Sequence, residues 1–152
     1  MAGIAALCIV TQSISAQAPT GCAIPRDACA FFDTFVSAFN QRDWSAFQAT
    51  LAPEISVIFD RPGPPARQDG RAAVEAVFRQ IFPEGATPAA LPPSQIRPLN
   101  LRTQDMGDVV LVAFELAAPG AVGRRTLVLQ RTAVGWRVVH IHGSSSISAS
   151  PG

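Results

Sequence analysis

His140 and His142 stand two residues apart in "WRVVHIHGS", residues 136–144, and they are the only histidines in the chain. Imidazole is the side chain whose ordinary pKa falls nearest neutrality, so this pair is the first candidate for moving a proton. In an extended strand alternate residues share a face, which predicts Trp136, Val138, His140 and His142 on one side. Two imidazoles so placed suit three chemistries. One is general acid–base catalysis, with Asp60 or Glu115 orienting the ring and Arg97 or Arg102 holding an anionic oxygen. Another is metal ligation, because His-x-His aims two ring nitrogens the same way. The third is structural, a strand histidine whose nitrogens are satisfied by neighbours in a core or an interface.

The metal reading needs a third ligand, and "GSSSIS" after His142 supplies neither carboxylate nor imidazole. No metal and no cofactor is therefore expected. The chain has 152 residues, 48% of them hydrophobic and 15% charged, which suits one domain with a substantial core. All 12 basic residues are arginines, spread without a run in a chain of net charge +1, so the electrostatic footprint of a nucleic-acid partner is missing.

Residues 1–18, "MAGIAALCIVTQSISAQA", pass from an apolar stretch into "SAQA", where Ala16 and Ala18 occupy the small-residue positions before a cleavage site. They read as a signal peptide, giving a secreted or periplasmic protein; the apolar run is too short for a stable membrane span. Residues 19–27 form an N-terminal arm. Export leaves Cys22 and Cys29 as an even pair in an oxidising compartment, and a disulfide closing "CAIPRDAC" is one reading, two unpaired thiols the other.

The elements that must position these residues follow from periodicity. "RDACAFFDTFVSAFNQRD" places Ala28, Phe31, Phe32, Phe35, Val36 and Phe39 on one helical stripe. A second helix starts at the cap Asp43 with Trp44, Phe47 and Leu51 inward, and a short strand, Ile55 to Phe59, runs into a Pro-rich loop. Asp69 caps a third helix with Val74, Val77, Phe78 and Ile81 inward, and Pro83 stops it. After the connector "PEGATPAALPP", a candidate pocket rim, the period changes to two. "QIRPLNLRT", "DVVLVAFELA", "RRTLVLQRT" and "WRVVHIHGS" read as an antiparallel meander joined by Gly-bearing turns. Residues 147–152 have little to bury and read as a disordered tail.

That order, closed by Trp136, Arg137, Val138, Val139, His140, His142 and Ser144, resembles the nuclear transport factor 2-like superfamily. It is most similar there to SnoaL-like domains and to the association domain of calcium/calmodulin-dependent kinase II. "NQRDWSAFQATLAPEISVIF" and "DGRAAVEAVFRQIF" support the resemblance upstream, and the SnoaL-like domain spans residues 28–146. The resemblance implies an α+β fold: a cone-shaped, curved, mostly antiparallel sheet wrapped by three N-terminal helices. It also implies a pocket, because members include ketosteroid isomerases, scytalone dehydratase and polyketide cyclases. The chain contains no Tyr, so Tyr-dependent versions of those chemistries are not expected.

Two functions stay open. In one, a pocket lined by Phe35, Phe39, Trp44, Arg97 and Trp136 binds a small apolar or carbonyl-containing molecule. His140, His142, Asp60 and Glu115 then supply cofactor-independent isomerase, cyclase or dehydratase chemistry. In the other, the domain is a non-catalytic ligand-binding or assembly module with structural histidines. Both expect a homodimer through the outer face of the sheet, since "VVLVAFEL" is apolar on both parities.

Overall fold

The computed structural model describes residues 24–60, 67–80, 82, 95–118 and 121–147. The apolar stripe of α1 (Arg26–Gln41) buries Ala28, Phe32, Phe35 and Ala38. The helix closes through Arg42, in the left-handed region at φ 56°. Its last carbonyls are taken by the N–H groups of Arg42 (to Phe39, 3.1 Å) and Asp43 (to Ala38, 3.0 Å). Asp43 then caps α2 (Trp44–Ala49), its carboxylate accepting the Ala46 N–H at 2.9 Å. Asp43→Ala is expected to cost about 1 kcal/mol in a urea titration, the usual loss of an N-cap.

Leu51, expected on the second helix, instead opens β1 (Leu51–Phe59). Pro53 is the reason: a helix cannot run through it, and it drives Ala52 into extended backbone. A short β2 (Arg67–Asp69) pairs antiparallel with β1, Ser56 opposite Asp69 and Ile58 opposite Arg67. Asp69 is therefore a strand residue and not the cap of the third helix. Gly70 occupies the cap position of α3 (Arg71–Arg79) with no side-chain bond, and its φ of 82° makes the sharp turn from strand to helix. Val74 and Phe78 are the buried residues of α3. Ile81 and the connector lie outside the described residues.

The remaining chain forms β3 (Leu99–Asp105), β4 (Val109–Ala118), β5 (Ala121–Thr132) and β6 (Gly135–Ile147), the expected antiparallel meander. Gly107 and Gly135, both at positive φ, stand at the β3–β4 and β5–β6 turns. The last strand outlasts "WRVVHIHGS": Ser144, Ser145, Ser146 and Ile147 pair with Arg124, Gly123, Val122 and Ala121. Residues 148–152 lie outside the described residues. The six strands make one curved, unclosed sheet in the order β2-β1-β6-β5-β4-β3, and β1 lies parallel to β6.

One face of the sheet meets the helices. Val57, Ile141, Leu127 and Val112 form a buried cross-strand row on it, and Leu51, Val138, Leu129 and Val110 form the next. Against these rows packs an aromatic cluster centred on Phe47, which is fully buried. Its ring lies 4.9 Å from Phe78, 5.1 Å from Phe82, 5.3 Å from Phe35, 5.8 Å from Phe39 and 6.2 Å from Trp44, centroid to centroid.

Candidate functional site

Pairing between β5 and β6 jumps from Val128 opposite His140 to Leu129 opposite Val138. Val139 is thus left without a partner on β5, as a bulge. The extra residue reverses the alternation beyond it. Trp136 and Val138 face the helices, and Ile141 and Gly143 resume that face, all of them buried. His140 and His142 project from the opposite, outer face. The simple period-two expectation of one shared side with Trp136 and Val138 is corrected here, because one bulged residue moves every later side chain to the other face.

On the outer face His140 lies in the cross-strand row Asp69, Ser56, His140, Val128, Leu111, Gln104. His142 lies in the next, Arg67, Ile58, His142, Thr126, Ala113, Arg102. The His140 Nδ1 is 2.7 Å from the Ser56 hydroxyl oxygen, a hydrogen bond between β6 and β1. Burial holds the His140 pKa below the ordinary 6.5, the charges of His142 and Arg67 add to the effect, and Asp69 opposes it. The unfolded chain therefore binds this proton more readily than the folded one. Stability is expected to be full above about pH 6.5 and to fall as the pH drops below it toward the folded-state pKa. Urea midpoints measured between about pH 7.5 and about pH 5 should decline, and decline less in His140→Gln.

The other candidates do not gather around these rings. Glu115 is on the outer face, where Asn100 Nδ2 donates to its Oε2 at 2.6 Å. It lies two strands and four residues from His140, roughly 16 Å at ordinary sheet spacings. Asp60 is exposed just after β1, its N–H donating to the Gly143 carbonyl at 3.0 Å. Arg97 is exposed and donates to Gln95 Oε1 from Nε (3.0 Å) and Nη2 (2.7 Å); Arg102 is exposed on β3. Phe35 is buried, while Phe39 and Trp44 are half-buried against the Phe47 cluster.

Trp136 is buried beneath Arg131, whose guanidinium carbon lies 4.5 Å from the ring centroid. Arg131 also bonds Asp27 at 2.8 Å and, with the Trp136 indole N–H, holds the Asp27 carboxyl below its ordinary range. That indole contact falls outside strict hydrogen-bond geometry. Cys29 Sγ lies 3.6 Å from the Ile24 carbonyl oxygen. Cys22 and the expected signal peptide are outside the described residues. An open groove of about 370 Å³ between α1 and α2, with Asp33, Ser37, Gln41 and Asp43 in its lining, is remote from both histidines. Among the described residues no three His, Cys, Asp or Glu side chains cluster as a metal site, and no helix is long and apolar enough to cross a membrane.

One residue escaped the sequence reading. Arg125 shares the parity of Leu127 and Leu129, so it points to the inner face while Arg124 points out. It sits in the row Phe59, Gly143, Arg125, Phe114. Gly143 gives it room: a β-carbon there would lie 2.7 Å from the Phe59 ring and 3.2 Å from Arg125 Cδ. The guanidinium rests over Gly123, where a β-carbon would come within 3.4 Å of Nη1 and 3.6 Å of Nη2. Nη1 donates to the Arg124 carbonyl at 2.8 Å and the Ser144 carbonyl at 3.0 Å. No carboxylate pairs with it among the described residues, and burial pulls its pKa below the usual arginine value. The signal was an arginine in phase with the buried leucines of "RRTLVLQRT".

The family model of the SnoaL-like domain matches residues 29–148. The chain belongs to the SnoaL-like family. Solved structures give the same fold for this SnoaL-like chain. An NTF2-like protein of unknown function from Pseudomonas putida superposes with a TM-score of 0.65 at 18% identity, covering 80% of this chain and 92% of that one. A candidate dehydratase of the NTF2-like family from Streptomyces avermitilis gives 0.63 at 19% identity, covering 80% and 94%. A candidate calcium/calmodulin-dependent protein kinase type II association domain from Thiobacillus denitrificans gives 0.57 at 27% identity, covering 76% and 91%. A search of curated proteins finds no match.

Proposed function

We propose that this SnoaL-like protein is an exported, non-catalytic association domain that pairs two copies of itself through the outer face of its sheet. The observation that carries the reading is the bulge at Val139, which turns both histidines onto that face. There they border Ile58, Val128, Leu111 and Ala113, a half-buried apolar band with the helices packed on the other side. The band is framed by both signs of charge: Arg67 and Asp69 at one edge, Glu115, Arg124 and Arg102 toward the other. A mixed frame suits a two-fold interface, in which each patch meets its own copy and opposite signs can be matched. The Thiobacillus relative, whose name is that of an association domain, supports the same reading.

Light scattering on the mature chain at about pH 7.5 is expected to return twice the chain mass, and a single-chain mass at every concentration would overturn the association reading. Export and the Cys22–Cys29 bridge belong to the same proposal. Intact mass of the secreted product should begin at Pro19 and fall two daltons short of its reduced form, roughly the mass of two hydrogens.

A second reading, a pocket for a small apolar or carbonyl compound with acid–base chemistry, is supported by the candidate dehydratase and by a candidate ketosteroid isomerase from Parabacteroides distasonis. It needs a proton-moving group on the inner face, and neither histidine points there. The wild-type chain is accordingly expected to exchange no protons of an added ketone above the buffer rate; exchange above that rate, lost in a folded His140→Ala, would favour acid–base chemistry at the histidines over the association reading.

A further inference from the structure

We propose that Arg125 anchors an anion subsite on the inner face of the sheet, and that its ligand is a small organic carboxylate with an apolar body. The proposal uses the opposite face from the association surface and does not rest on it. Three features converge on this residue. The guanidinium is half-buried on the helix-facing side with no carboxylate against it among the described residues. A cation placed there without a counter-ion is costly, and a bound anion recovers that cost.

The seat is also built to a shape. Gly143 and Gly123, one beneath the aliphatic stem and one beneath the guanidinium, let the side chain lie close along the sheet, and a β-carbon at Gly143 would collide with Phe59. The donor geometry selects the ligand. Nη1 is fixed by the Arg124 and Ser144 carbonyls, while Nε and Nη2 have no partner among the described residues. Those two groups form one edge of the planar fork, the edge that takes a carboxylate with two parallel hydrogen bonds.

The walls select the rest of the molecule. Phe59 crosses the same row, Phe114 stands beside it, and Leu116 Cβ lies 3.5 Å from where a Gly123 β-carbon would be. Such neighbours match an apolar body in chemistry, and an inorganic anion would leave them uncovered.

Calorimetric titration of the mature protein with hexanoate, hexanamide and inorganic phosphate tests the assignment. Hexanoate is expected to bind, the isosteric amide and phosphate at least about tenfold more weakly, and Arg125→Gln to weaken hexanoate by roughly 10- to 100-fold. Equal binding of hexanoate and hexanamide, tighter binding of phosphate, or an unchanged affinity in Arg125→Gln would each overturn it, as would no hexanoate binding at all. A second measurement needs no variant: phenylglyoxal labelling followed by peptide mass. Hexanoate should slow labelling of Arg125 several-fold and leave the adjacent Arg124 unchanged, and equal protection of the two would count against the subsite.

Discussion

Replacing Phe47 with alanine is expected to destabilise the chain by about 4 kcal/mol, within the range of buried Phe→Ala changes. Phe47 has no exposed surface, and its ring meets Phe35, Phe39, Trp44, Phe78 and Phe82, which come from α1, α2, α3 and, for Phe82, the third residue after α3. Truncation therefore removes the transfer energy of one large side chain. It also removes the ring contacts that tie three helices to one another, and surrounding rings fixed on different elements cannot collapse together to fill the void. In a thermal scan the midpoint should fall by roughly 10 °C or more. Phe47→Leu should retain most of the stability, because it keeps apolar volume at the hub. A loss below about 1 kcal/mol in Phe47→Ala would mean that the inner face is not packed around this residue.

The second large effect concerns association. Val128 stands in the middle of the outer row, opposite His140 on one side and Leu111 on the other. In a single chain Val128→Arg should be nearly silent, since the site is only half-buried and a long stem can lie along the sheet with its charge in water. In a two-fold pair through this band the same change brings one cation from each copy into the apolar contact. The dimer dissociation constant is expected to rise by at least about 100-fold, measured by sedimentation equilibrium, with an unchanged circular dichroism spectrum and thermal midpoint in the monomer. Retention of the wild-type dimer by a folded Val128→Arg would contradict the surface assignment.

The two effects come from the two faces of one sheet, and they differ in how far the sequence revealed them. The inner face was legible because helical spacing in "RDACAFFDTFVSAFNQRD" and the acidic cap Asp43 are local signals, and the four C-terminal runs carry both alternation and turn glycines. The parallel pairing of β1 with β6 was not, because it joins residues 84 apart, as at Ser56 and His140, and leaves no trace in spacing. β2 was hidden for a related reason: three residues of a polar edge strand show no period.

The most consequential miss was the bulge at Val139. "WRVVHIHG" reads as unbroken alternation from Trp136, yet Val138 and Val139 are both aliphatic, so either could be the inward residue. The choice was settled by the partners, since Ile141 must enter the row of Val57 and Leu127 to be buried. Arg125 was legible by parity, once its strand was read from Leu127 and Leu129 rather than from charge alone. Glu115, by contrast, could be placed on the strand but not next to a histidine, because distance across a sheet depends on strand order.

The most direct test of the association surface is an isotope-filtered nuclear Overhauser measurement on a mixture of labelled and unlabelled chains, which reports only contacts between copies. The expected result is a set of intermolecular signals from the methyl groups of Val128, Leu111 and Ile58 and from the His142 ring. Intermolecular signals confined to other exposed apolar residues, such as Leu99, Met106 and Val134, would contradict it, as would their complete absence in a sample of dimer mass.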